Sequence, residues 1–209
     1  MGAEVAVLTG DLIGSSRAVP AAVDRTFQVL ADAAGRLGAW HGATTRLTRF
    51  RGDGWHCLLA RPNLAFRSCL YLIAALRAAE APLETRLALG FGSMTRAGGA
   101  TLADADGPAF HRSGRALDAM PRGRRFTTAD KATPAALTAV VPLADWVTRR
   151  WTLAQAEAVM AMLTPPSPTQ RELAESLGLT QQSVSERLDA AGFWAFSETL
   201  SVLEGESRA

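Results

Sequence analysis

Cysteine is nearly missing: Cys57 and Cys69 are the only two in 209 residues. Both lie in apolar surroundings, which argues against a disulfide scaffold and predicts reduced core thiols in a cytoplasmic protein. No Cys/His cluster has the spacing of a zinc site. His41, His56 and His111 are scattered, and a structural or surface role is the expectation for the first two. No stretch is apolar over the length a bilayer demands, so no membrane partner is expected. The start of the chain lacks a basic region followed by an apolar segment, so no signal peptide is expected either. A net charge of +2 is too small to argue for nucleic acid or lipid by itself. There is no internal repeat. What is present is 48% hydrophobic residues, enough for a real core, in a chain long enough for one ordinary domain and a small module.

Two aspartates carry the most information. Asp11 follows the apolar run Val5 to Leu8, which Gly10 bounds as a buried strand would be bounded. Pro20 to Leu37 reads as a helix with Val23, Phe27, Leu30 and Ala34 on one face. Thr44 to Phe50 and Trp55 to Ala60 read as strands, and Asp53-Gly54 between them is a hairpin signal. A second helix is expected from Pro62 to Ala79 and a further strand from Arg86 to Gly92. That order is βαββαβ, a ferredoxin-like core of mixed α and β structure. A strand–helix–strand crossover makes its two strands parallel, so the Asp53 hairpin tip should land beside Asp11. Two carboxylates at one sheet edge suit a hard divalent cation, Mg²⁺ or Mn²⁺, completed by phosphate oxygens. Taken singly, each aspartate is an ordinary turn residue.

The chain changes character after its middle. Pro121-Arg-Gly-Arg-Arg125 is basic, Phe126 to Ala129 reads as a short strand, and Trp146 to Leu163 reads as one helix broken by the prolines at 165, 166 and 168. Thr169 and Glu172 then form a capping-box pattern. Leu173, Ala174 and Leu177 make an inward face, Gly178 a turn, and Thr180 a second cap ahead of Val184 and Leu188. This is the spacing of a helix-turn-helix. Gln181, Gln182, Ser183, Ser185 and Arg187 then face outward, where such side chains can read base edges of duplex DNA. The charge balance argues the other way. From Pro165 onward the bases are Arg171, Arg187 and Arg208, against Glu172, Glu175, Glu186, Asp189, Glu198, Glu204 and Glu206. Backbone affinity for DNA comes mainly from Lys and Arg, so Arg149, Arg150 or Arg122–Arg125 would have to join the surface. A helical bundle that binds a protein partner is the alternative.

Three segments together resemble the core motifs of class III nucleotide cyclase domains. They are Thr9-Gly-Asp11-Leu-Ile-Gly-Ser-Ser16, Arg49-Phe-Arg-Gly-Asp53-Gly, and Asp104-Ala-Asp-Gly-Pro-Ala-Phe-His-Arg-Ser-Gly-Arg115. Joined to a helix-turn-helix, the combination is most similar to SatD-type bacterial proteins, which are described as regulators. The resemblance implies metal binding by Asp11 and Asp53, purine contacts by Arg49 and Asp104, and phosphate stabilisation by Arg115. It also implies a homodimer, because the cyclase site forms between two subunits. His111 departs from the pattern: cyclases carry a ribose-orienting asparagine at that place, four residues before the arginine. In an enzyme, His111 and Arg115 would be the catalytic positions.

The expected organisation is a cyclase-like ferredoxin-fold domain over residues 1–135, a connecting helix and linker over 136–166, and a helix-turn-helix over 167–209. Two function classes follow. One is a transcriptional regulator whose first domain binds a nucleotide-type small molecule with a divalent metal and whose last binds duplex DNA. The other is an enzyme, a divergent nucleotide cyclase or another metal-dependent phosphoryl-transfer catalyst. The helix-turn-helix and His111 favour the regulator.

Overall fold

The computed structural model describes residues 3–205 apart from 46, 100 and 130. Glu206 and Arg208, and one position of the strand expected over Thr44 to Phe50, lie outside the described residues. In chain order the elements are β1 (Glu4–Leu12), α1 (Pro20–His41), β2 (Leu47–Phe50), β3 (Gly54–Leu59), α2 (Ala65–Ala78), β4 (Thr85–Ser93), α3 (Pro108–Asp118), β5 (Phe126–Thr128), α4 (Ala135–Thr148), α5 (Leu153–Leu163), α6 (Gln170–Leu177), α7 (Gln181–Ala190) and α8 (Phe193–Glu204). The fold is mixed α+β.

The strands form one sheet in the order β2-β3-β1-β4-β5. The first four are antiparallel to their neighbours, and β5 runs parallel to β4. Residues 4–93 therefore have the expected ferredoxin-like order, with β1 central. Alternation along β1 sorts the two faces. Ala6, Leu8 and Leu12 join the main core beneath α1 and α2, whereas Val5 and Val7 pack against Ala109 and Phe110 of α3. The expected inward face of α1, Val23, Phe27, Leu30 and Ala34, is buried as read.

Three local expectations give way to tertiary packing. β1 does not stop before Gly10; it runs through Gly10 and Asp11 to Leu12. A Cβ on Gly10 would stand 2.4 Å from the Trp55 ring, so this glycine admits an indole rather than ending a strand. The hairpin turn is Arg51–Asp53, closed by the Phe50–Gly54 pair, rather than Asp53-Gly54. Arg51 and Gly52 take positive φ of 47° and 87°, while Gly54 is already in β3 against the Phe50 ring. The single helix expected from Trp146 to Leu163 is two helices. Thr152 caps α5 through a capping box with Gln155, and the buried Trp151 donates its indole N–H to the Ala191 carbonyl at 2.9 Å.

Helices α6 and α7 begin as the sequence indicated. Thr169 and Glu172 form a capping box, Gly178 takes a left-handed φ of 65°, and Thr180 caps α7 by accepting from the Ser183 N–H at 3.1 Å. Leu173, Ala174, Val184 and Leu188 are continuous with the main core rather than a separate one. Phe196 of α8 lies 6.2 Å from Phe66 of α2, and the buried Glu204 meets Arg67 of α2 at 2.7 and 2.8 Å. Among the described residues no helix is long and apolar enough to cross a membrane.

Candidate acidic site at the sheet edge

Topology brings the two aspartates to one edge. Asp11 pairs with Gly54 across β1 and β3, and the Leu12 N–H donates to the Asp53 carbonyl at 3.2 Å. Each side chain already has a partner. Arg86, opposite Asp11 on β4, donates from Nε to Asp11 Oδ1 at 2.8 Å and from its terminal nitrogen to Oδ2. Ser15, in the loop after β1, donates to Asp53 Oδ2 at 2.5 Å. The Arg86 guanidinium is held charged above its ordinary range, first by its hydrogen bond to Asp11, then by the charges of Asp11, Asp118 and Asp53. One cation therefore sits within electrostatic reach of three carboxylates.

Arg86 and Ser15 were not singled out from sequence. The signal for Arg86 was available: a strand beginning at that residue and paired antiparallel to β1 places it opposite Asp11. Ser15 had no signal beyond its place inside the cyclase-like segment Thr9 to Ser16.

The donor set suits a hard divalent cation. It consists of two carboxylates and a hydroxyl, all oxygen, with too few protein ligands to fill a shell without phosphate or water. Among the described residues no group of three or more His, Cys, Asp or Glu converges on one point. A metal at Asp11 would have to share or displace Arg86.

The other candidates are dispersed. Arg49 lies on the opposite face of the sheet. It pairs with Asp24 of α1 at 2.9 Å, donates to the Gly52 carbonyl at 2.5 Å and stacks over Phe27 at 4.5 Å. The structure does not bring it to Asp11 and Asp53, because its neighbour across the hairpin is the inward-facing Trp55. Asp104 is exposed in the loop before α3, and His111 pairs with Asp106 at 3.0 Å. Arg115 is exposed on α3. With Arg112, Arg124 and Lys131 it lines a groove of about 600 Å³ between α3 and β5 whose wall, among the described residues, holds no carboxylate.

Between these groups and the sheet lies a buried polar link. Thr9 of β1 meets Ser113 of α3 at 2.6 Å and His56 of β3 at 2.9 Å. His56 is stacked on Phe50, and burial pushes its pKa down to about 4. His41 is also held neutral, down to about 4, first by burial and then by the charge of Arg61; it meets Ser68 at 3.0 Å. Cys57 and Cys69 are free and buried, as expected, and burial raises the Cys57 thiol to about 12.

On α7, Gln181 and Gln182 are exposed and Ser183 and Ser185 partly so. Gln182 bonds Glu186 at 3.0 Å, and Ser183 accepts from the capping Thr180 at 2.9 Å. Arg187 turns back to Glu157 of α5 at 3.4 Å. Three of the bases considered as extra DNA contacts are also engaged within the fold. Arg125 pairs with Glu84, Arg149 donates to Gly123 O at 2.7 Å, and Arg150 stacks on Trp146 at 3.7 Å.

No protein-family model matches the chain, and no curated protein matches it. Among solved structures, similar folds include the catalytic core of a rhodopsin-guanylyl cyclase with converted specificity in complex with ATPalphaS. That match has 18% identity and a TM-score of 0.47, and covers 62% of this chain and 78% of that one. A guanylyl cyclase matches at 20% identity and a TM-score of 0.45, over 61% and 77% of the two chains. The adenylyl cyclase CyaB from P. aeruginosa matches at 15% identity and a TM-score of 0.43, also over 61% and 77%. At these levels the likeness concerns the fold alone and assigns no residue a role.

Proposed function

We propose that this chain is a ligand-responsive regulator of the SatD type. In this reading Asp11 and Asp53 hold a divalent metal with the phosphate oxygens of a nucleotide-type ligand, and the α6–α7 unit binds duplex DNA. The observation that carries it is the convergence of Asp11 and Asp53 at one sheet edge, through the Asp11–Gly54 pairing and the Leu12–Asp53 hydrogen bond. Mg²⁺ or Mn²⁺ would supply charge to neutralise the phosphates. The chain's own residues fix the aspartates: Ser15 orients Asp53, and Arg86 holds Asp11 until ligand arrives. The exposed Arg115 is suited to meet phosphate from a second subunit, so the reading includes a homodimer. Ligand acts on DNA only by favouring one dimer geometry over another. The residues 1–135, 136–166 and 167–209 remain the division of labour proposed for ligand binding, connection and DNA contact.

The test is calorimetry of wild type and Asp53→Ala against purine nucleoside triphosphates, with Mn²⁺ and with chelator. Binding that needs both metal and Asp53 supports the reading; identical heats in the two proteins reject it. Chromatography of the same mixtures separates the two classes. A cyclic product or released pyrophosphate identifies an enzyme, and unchanged nucleotide a sensor.

A further inference from the structure

A second cavity lies on the other face of the sheet from α3. It occupies about 420 Å³ between the end of α2, the start of β4 and the break between α4 and α5. That volume is in the range of small-molecule sites, roughly 300–1,000 Å³. Its apolar surface comes from Ile73, Leu76, Leu83, Phe126 and Leu153. Three guanidiniums, those of Arg77, Arg125 and Arg149, stand around it.

The carboxylates in its wall are largely used up, and the guanidinium donors are not. Asp145 is buried, and its Oδ1 accepts the Arg125 and Phe126 backbone N–H groups at 2.9 and 3.0 Å, while Oδ2 faces Arg149 at 3.4 Å. Glu84 divides its two oxygens between Arg77, at 3.4 Å, and Arg125. Glu80 stands exposed at the rim. A guanidinium carries five N–H donors in a planar fork. Arg77 and Arg125 each meet Glu84 through a single nitrogen, which leaves further N–H donors on both guanidiniums beside a chamber whose rim also carries Glu80. A ligand that satisfies them is anionic and planar at one end and apolar at the other.

The position ties this chamber to both parts of the molecule. Thr85 in its wall donates its hydroxyl to the Asp11 carbonyl at 2.8 Å and accepts from the Trp55 indole at 2.9 Å. The Glu84 carbonyl accepts the Ile13 N–H at 2.8 Å. On the opposite side, Asp145, Arg149 and Leu153 belong to the junction of α4 and α5, and α5 leads to the last three helices. We infer that this cavity is an effector site for a small amphipathic acid: an aromatic or branched apolar body bearing one carboxylate, seated against Phe126 and Leu83 with its carboxylate on Arg77 and Arg125. The site is distinct from the acidic edge and needs no metal.

The full chain is titrated with benzoate and salicylate, with benzamide as the uncharged isostere and benzylamine as the cation, using saturation-transfer NMR and thermal shift. The carboxylates are expected to bind and raise the melting temperature, and benzamide to bind roughly tenfold more weakly because a charge-assisted bidentate contact is lost. Leu83→Trp fills the chamber, and Arg125→Met and Arg77→Gln each remove a donor fork; all three should abolish the carboxylate preference. Arg36→Ala, on the exposed face of α1, should bind as wild type does. Circular dichroism checks each variant's fold, and Arg77→Gln, at a partly exposed side chain, decides if the others unfold. Equal binding of benzoate and benzamide, preference for benzylamine, wild-type binding by Arg77→Gln, or no saturation transfer from any probe overturns the proposal.

Discussion

Arg86 grips Asp11 with both ends of its guanidinium fork, across directly paired positions of β4 and β1. One carboxylate of the candidate metal pair is therefore already neutralised by a protein cation. Arg86→Met should release it. Mn²⁺ affinity, read by electron paramagnetic resonance titration, is expected to rise about fivefold, the equivalent of roughly 1 kcal/mol for a part-exposed ion pair. Asp11→Asn should remove the gain. Unchanged affinity in Arg86→Met would mean that the pair does not gate the site.

The proposed DNA surface rests on exposed amides more than on charge. Gln182→Ala combined with Arg187→Ala should lower binding to duplex DNA from around the protein's own gene while the oligomeric state stays the same. With Arg187 paired to Glu157, the salt dependence is expected to be shallow. Fluorescence anisotropy at low and moderate salt measures both. No wild-type binding at any salt, or equal binding by the double variant, would make α6–α8 a protein-binding bundle. If two copies do present α7 to DNA, the half-sites should lie roughly 34 Å apart.

His41 and His56 set the acid limit of stability. Their pKa values are pushed from 6.5 in the unfolded chain to about 4 in the folded one, so unfolding takes up protons between those values. Stability should be full above about pH 6.5, fall as the pH is lowered through that window, and reach its loss near pH 4. Urea midpoints between pH 8 and 4 test this, and His56→Gln should flatten part of the slope. A histidine titrating near 6.5 in NMR spectra and assigned to His56 would contradict it.

Gly90 lets α3 sit directly on β4. A Cβ there would stand 2.5 Å from the Ser113 nitrogen and 2.6 Å from the Ala109 carbonyl, both backbone atoms. Gly90→Ala must push the helix off the sheet and disturb the Thr9–Ser113 contact. A loss of about 1–3 kcal/mol is expected in chemical denaturation. A smaller loss would show that α3 shifts freely.

Arg67 and Glu204 clamp α8 to α2 with little solvent access. Arg67→Met strands a buried carboxylate and should cost about 3–5 kcal/mol. Adding Glu204→Leu should restore much of that stability. If Arg67→Met alone is neutral, α8 does not depend on this clamp.

Sequence by itself determined the local grammar. The apolar face of α1, the capping box at Thr169 and the glycine turn at 178 all follow from interactions within a few residues, and the order of the first four strands from the βαββαβ alternation. It also placed Asp11 and Asp53 at one edge, because crossover topology constrains which strand ends coincide. Tertiary structure decided what local pattern does not encode. The partner of Asp11 is an arginine seventy-five residues away. Gly10 and Gly54 make room for the Trp55 and Phe50 rings instead of turning the chain. The break between α4 and α5 is fixed by the buried Trp151 reaching Ala191, and Arg49 is drawn to Asp24 and Phe27 on the far face. Propensity and capping act over one or two turns of chain, whereas burial and charge pairing are settled only when distant segments share one core, which here runs unbroken from β1 to α8.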